Sequence, residues 1–170
     1  MSQITDGAQV SLPSDHEVKV TREFRAPRQL VYRTYTEPRL VQRWLLGPPG
    51  WTMPVCEMDV RVGGKFRWRW RSNEGSQEFG FHGEFLEVSA PAKLVHTEFY
   101  DPGNVGGEMG DGSLITVTFE EKAGVTTMTS LMDFKTKTAR DAAMSTGMTD
   151  GMEQSYRLLD QLLAEPAQAL

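Results

Sequence analysis

At 170 residues, with 39% hydrophobic and 24% charged side chains, the chain is long enough for one domain with a substantial core and too ordinary in composition for a disordered or fibrous protein. A formal net charge of -5 withholds the general basic face that nucleic-acid binding needs, and no apolar run approaches the roughly 20 residues that cross a bilayer. A lone cysteine, Cys56, excludes an internal disulfide and a multi-cysteine metal site.

Residues 1–15 are polar and aperiodic, which predicts a flexible N-terminal segment. They lack the basic start and apolar stretch of a secretory signal, so the cytoplasm is the expected location. Structure is expected from His16, as one domain over 16–164 with residues 165–170 as a C-terminal tail. Val18, Val20, Arg22 and Phe24 alternate with Lys19, Thr21 and Glu23, the period of a strand with one buried face. Ala26-Pro27 then opens a short helix carrying Leu30, Val31, Thr34 and Tyr35, and Glu37-Pro38 opens a second with Leu40, Val41, Trp44 and Leu45. Gly47-Pro48-Pro49-Gly50 stops it.

Six strands are expected next: Trp51 to Arg61, Lys65 to Arg71, Phe79 to Val88, Leu94 to Tyr100, Leu114 to Glu120 and Val125 to Phe134. The second of these sets Phe66, Trp68 and Trp70 on one face against Lys65, Arg67, Arg69 and Arg71 on the other. Gly80 and Gly83 point to a bulge or bend in the third. From Thr138 to Ala164 the period becomes helical, with Met144, Met148, Met152, Tyr156, Leu159 and Leu163 on one stripe. A single helix of about 25 residues, at about 1.5 Å per residue, would lie across the whole sheet.

The pieces TREFRAP, WLLGPPGW, CEMDVRVGGKFRWRW, FHGEFLEVSAPAKLVHTEF and TDGMEQSYRLLDQLL, in that order between Val18 and Leu163, resemble the activator of heat-shock protein ATPase homologue-like family. The resemblance is to its C-terminal-domain type, within the START-like, or SRPBCC, superfamily. It implies an α+β helix-grip (Bet v-like) fold, in which a curved antiparallel sheet wraps around a long C-terminal helix and two short helices follow strand one. It also implies a cavity for a small hydrophobic ligand, lipid-like or aromatic. Contact with a chaperone and a stress-response role come with the family name, although these residues leave no room for a separate chaperone-binding domain before Val18. Two positions depart from the family pattern: Val62 stands where a Pro follows the Arg of an RPGG turn, and Met152 where the helix usually carries Trp. A flexible thioether in place of a rigid ring implies a differently shaped pocket.

On this reading the ligand-binding candidates are Phe66, Trp68, Trp70, Phe81 and Phe99 from the strands, and Met144, Met148, Met152 and Tyr156 from the helix. The methionine stripe has two readings, an adaptable ligand surface or plain core packing. Trp44 and Trp51 flank the Gly-Pro-Pro-Gly loop, where they either gate the pocket mouth or staple a turn. The glycine-rich loop DPGNVGGEMGDGS lacks a GK[ST] ending and carries Asp101, Glu108 and Asp111, so it reads as a mobile hairpin loop, not a phosphate cradle.

His16, His82 and His96 lie apart, outside any metal or nucleophile motif, and no cofactor is implied. An acid–base enzyme resembling the polyketide cyclases of the superfamily is the alternative, with Tyr156 and His82 as its candidates. Asp59 and Arg61, two apart on one strand face, are expected to pair with each other or, in a solvated cross-strand network, with Arg67 and Arg69. Edge strands without coiled-coil heptads leave both a monomer and a homodimer open.

Overall fold

The computed structural model describes residues 7–107 and 111–170. In chain order its elements are β1 (Gln9–Ser11), β2 (Glu17–Phe24), α1 (Arg28–Thr36), α2 (Pro38–Trp44), β3 (Trp51–Met58), β4 (Lys65–Ser72), β5 (Glu78–Ser89), β6 (Lys93–Asp101), β7 (Ser113–Lys122), β8 (Val125–Asp133), α3 (Lys137–Ser145) and α4 (Met148–Leu163). All strand pairings are antiparallel, in the order β1-β2-β8-β7-β6-β5-β4-β3. Strand two closes onto the last strand, so the meander curls into a half-shell, and the helices fill its concave side. This is the helix-grip fold.

Alternation decides which side chains enter the shell. On β2, Val18, Val20, Arg22 and Phe24 are all buried; on β8, Thr126, Met128, Ser130 and Met132 are. The glycines of β5 mark places where strands crowd. A Cβ on Gly83 would stand 1.9 Å from the Thr97 carbonyl oxygen, and one on Gly80 would stand 2.1 Å from that of Trp68. The register shift lies a little further on, between Phe85 and Glu87 opposite β6. A second shift, between Thr52 and Val55, brackets Pro54 on edge strand β3, where a residue without an N–H is tolerated.

Two expectations need correction, and one alternative is decided. The flexible segment expected over 1–15 contains β1, whose Gln9, Val10 and Ser11 pair with Thr21, Val20 and Lys19; Ala8 N–H also donates to Glu153 Oε1 at 2.9 Å. Residues 1–6 lie outside the described residues, as does Glu108 in the glycine-rich loop. The helix expected over Thr138 to Ala164 is two helices, broken at Thr146-Gly147. Thr136 Oγ1 caps α3 by accepting from Ala139 N–H, Thr146 Oγ1 turns back to the Ala143 carbonyl, and Gly147 adopts φ 78°, a left-handed turn that side chains resist. Of the two pairings open to Asp59 and Arg61, the structure has the one with each other, just beyond β3, and not the one with Arg67 or Arg69. Arg67 meets Glu57, and Arg69 meets Glu78 and Asp101. The register explains this, because β4 stands between β3 and β5 and so finds its acids on both sides.

α4 is held across the shell by Arg22, a guanidinium on the buried face of β2 that is 6% exposed. Its Nε and Nη2 donate to the two carboxylate oxygens of Glu153 at 3.1 and 3.2 Å, and its Nη1 and Nη2 to those of Asp160 at 3.0 and 2.8 Å. The Phe24 ring lies 5.1 Å from its central carbon. Burial opposes ionisation of Glu153, but the hydrogen bonds and charge of Arg22 outweigh it and hold its carboxyl below the ordinary value of 4.5. A carboxyl lowered on folding contributes stability above its unfolded value and loses it as pH falls through its folded value. Arg22→Met removes the buried cation shared by the partly exposed Glu153 and Asp160 and should lower the urea-unfolding free energy by roughly 2 kcal/mol at neutral pH. The gap from wild type should narrow on acidification below pH 4.5. Equal stabilities at neutral pH would show that the clamp holds nothing.

Candidate functional site

Between the concave sheet and α4 lies a cavity of about 450 Å³, within the range of small-molecule sites. At about 24 cal/mol per Å³, a dry void of that size would forfeit on the order of 10 kcal/mol, comparable to the whole net stability of a domain. Filling by solvent or a ligand would offset that cost. Its wall is mostly apolar, built from the inward residues of β4 to β8, the end of α2 with the loop after it, and the first half of α4.

Eight sequence candidates meet on this wall: Trp44, Trp51, Trp68, Trp70, Phe81, Met148, Met152 and Tyr156. Three do not. Phe66 is buried beneath it, tilted against Trp68 at 4.4 Å and Phe85 at 5.6 Å between ring centres. Met144 precedes the break at Gly147 and packs on the core as part of α3 instead. Phe99 is on the outer face, 38% exposed and stacked on His82, because β6 turns Leu94, His96 and Glu98 inward and its odd-numbered neighbours out. The same register places the acid–base candidate His82 outside the cavity. The methionine stripe thus divides: Met148 and Met152 face the cavity, Leu159 is packed core, and Leu163 is only partly buried while Leu162 beside it is buried.

Trp44 is a fixed wall. Its Nε1 donates to the Thr34 carbonyl at 2.8 Å, and its ring contacts Tyr35 at 4.8 Å and Tyr156 at 6.3 Å. Trp51 sits edge-on to Phe79 at 5.3 Å, at the boundary between the cavity and an outer groove. Leu46, Gly47, Pro48 and Trp51 line both spaces, so the loop after α2 is the partition between them. Gly47 N–H donates to Ser155 Oγ of α4 at 2.8 Å, and Trp70 Nε1 to the Leu45 carbonyl at 2.6 Å.

Sequence reasoning missed the polar part of the wall. Cross-strand rows run Leu94, Val117, Ser130; then His96, Ile115, Met132; then Glu98 and Ser113, each row contributed by β6, β7 and, in the first two, β8. His96 is 6% exposed, enclosed by the rings of Phe66, Phe85 and Trp68, and its Nε2 lies 2.9 Å from Glu98 Oε2. The signal was present: His96 and Glu98 are two apart on a strand and must share a face. Three buried polar atoms find no partner among the described residues: Tyr35 Oη, Trp68 Nε1 and His96 Nδ1. All three belong to residues of the cavity wall. Cys56 is off that wall, and burial pushes its thiol up to about 12, so it is not a nucleophile at neutral pH. No group of three or more His, Cys, Asp or Glu side chains arranged to hold a metal ion occurs among the described residues.

The family model described as Activator of Hsp90 ATPase homolog 1-like protein matches residues 25–164. A crystal structure of a protein from Rhodobacter sphaeroides is 31% identical, with a TM-score of 0.85 over 94% of this chain and 99% of that one. One from Nitrosomonas europaea is 26% identical, with a TM-score of 0.76 over 89% and 96%. The solution structure of an AHSA1-like protein from Aeromonas hydrophila, 22% identical, shares the fold with a TM-score of 0.66 over 85% and 93%. No curated protein matches the sequence.

Burial raises the Tyr35 and Tyr156 phenols well above their ordinary value of 10, and the nearby Glu153 and Glu98 charges add to the rise at Tyr156. A phenol raised on folding contributes stability below its unfolded value and loses it as pH rises through its folded value. In an alkaline titration followed by phenolate absorbance, Tyr35 and Tyr156 should therefore ionise only as near-ultraviolet circular dichroism reports unfolding. Tyr156→Phe should remove part of that late amplitude. Its ionisation in the folded protein alongside Tyr32 and Tyr100 would contradict the buried placement.

Proposed function

Because the chain belongs to the Activator of Hsp90 ATPase homolog 1-like family, we propose that it binds a small, predominantly apolar molecule, aromatic or lipid-like, between the sheet and α4. The observation that carries this reading is the cavity of about 450 Å³ itself. Its wall pairs rigid aromatic faces from β4 and β5 with two flexible thioethers from α4. Rings supply area at little entropic cost, and methionines adapt to the outline that remains. Nothing in this arrangement stabilises the free protein as well as a filled core would, which supports selection for occupancy over packing.

Two substitutions test the reading. The neutral fluorophore N-phenyl-1-naphthylamine should brighten on binding to wild type and raise its melting temperature through linkage. Met148→Trp and Met152→Trp should each abolish the brightening by filling the space while melting near the wild-type temperature. Native mass spectrometry of freshly purified protein should show a mass shift that denaturing conditions release. If wild type neither brightens the probe nor carries a bound mass, and both tryptophan variants unfold, the stripe is packed core and the proposal fails.

A further inference from the structure

The polar part of the wall narrows the chemistry of the ligand. Among the described residues lining the cavity, Glu98 is the only acid, and there is no Lys or Arg. An anionic head group, whether a fatty-acid carboxylate or a phosphate, would enter a mostly apolar space with no Lys or Arg to meet it and the Glu98 carboxyl already there. Glu98 uses Oε2 toward His96, and Oε1 has no hydrogen-bond partner among the described residues. Beside this pair stands Trp68, its ring centre 6.3 Å from that of His96, with an indole N–H that can only donate and has no acceptor. His96 Nδ1 is likewise unmatched.

A buried polar atom without a partner costs far more than a satisfied one returns. Two of the three unmatched atoms, Trp68 Nε1 and His96 Nδ1, belong to neighbouring rings of the cavity wall beside Glu98, while the third, Tyr35 Oη, belongs to the ring packed on Trp44 and Phe119. The Trp68 indole N–H is a donor and the Glu98 carboxylate an acceptor, a pair that one hydroxyl group satisfies, because it donates one hydrogen bond and accepts another. Resting on the cavity reading above, we propose that the ligand is an uncharged aromatic compound carrying a hydroxyl group, which donates to Glu98 and accepts from the Trp68 indole N–H. The rest of its surface lies against the rings of β4 and β5 and the methionines of α4. His96 positions the Glu98 carboxylate through their shared hydrogen bond.

Three probes of one shape separate this proposal from the cavity reading: naphthalene, 2-naphthol and 2-naphthoate, each measured by equilibrium dialysis against wild type, Glu98→Gln and Trp68→Phe. Wild type should bind 2-naphthol roughly tenfold more tightly than naphthalene, the worth of a hydrogen bond to a charged group, and 2-naphthoate more weakly than either. Trp68→Phe keeps an aromatic wall but no N–H. It should cost 2-naphthol several-fold more in affinity than it costs naphthalene. Glu98→Gln should erase most of the discrimination against 2-naphthoate. If naphthalene and 2-naphthol bind equally to wild type, ordered water meets the polar atoms and this proposal falls while the cavity reading stands. If 2-naphthoate binds best, the charge argument is overturned. If none of the three binds, the cavity reading fails and takes this one with it.

Discussion

The guanidinium of Arg22 is the point on which the arrangement of layers turns. Its two paired carboxylates, Glu153 and Asp160, are seven residues apart on one face of α4, which is two helical turns. A single fork therefore fixes both the height of the helix along β2 and its rotation about its own axis. Once α4 cannot roll, Tyr156 must stand between Phe24 and Trp44, at 5.8 and 6.3 Å between ring centres, and Met148 and Met152 must point at the sheet. The C-terminal half of the helix packs down through Leu159 and Leu162, both buried. The N-terminal half lies over the part of the sheet that β4 and β5 carry away from it, and the gap is the cavity. Packing and cavity are two ends of one rigid element.

The break at Gly147 serves the same geometry. A straight helix from α3 through α4 would carry Met144 in line with Met148 and Met152. The left-handed glycine turns the chain, so that α3 packs beside β2 with Ala139 and Ala143 buried, while α4 starts over the cavity. Arg140, itself buried, secures α3 by donating to the Ser14 and Glu17 carbonyls at 2.9 and 3.3 Å. Two arginines, each on a face that periodicity marks as apolar, thus dock the two C-terminal helices onto the same strand.

The fold was legible because its signals were local and repeated. Period-two alternation located every strand from Glu17 onward, and Pro27, Pro38 and the Gly-Pro-Pro-Gly run bounded the short helices. What escaped had a physical reason in each case. β1 has only three residues, too few for alternation to register, and it exists because β2 offers a free edge. The break at Gly147 hid inside an unbroken hydrophobic stripe, since three- and four-residue spacing in the sequence continues across a glycine that turns the chain. The candidate site was legible in its apolar part for the same reason the strands were. Its polar part was not, because His96 and Glu98 gain meaning only when Trp68, from a strand almost thirty residues earlier, is folded against them. Phe99 shows the limit from the other side: an aromatic residue on a core strand is no guide to the cavity until parity with His96 is imposed.

The partition between the cavity and the outer groove follows from the same sequence features that ended α2. Leu45 is held through its carbonyl by Trp70, Gly47 through its N–H by Ser155, and Gly50 through its carbonyl by the Asn73 N–H at 2.8 Å. Between Gly47 and Gly50 stand only Pro48 and Pro49, which have no N–H to offer. A segment that separates a cavity from the surface is therefore pinned at its ends and lacks backbone donors in its middle. The two prolines that stop the helix also stiffen the span, because each fixes φ and neither needs a hydrogen bond to hold its shape. The partition keeps its form with few bonds across it, and the bond from Gly47 to Ser155 is the one that ties it to the helix roofing the cavity.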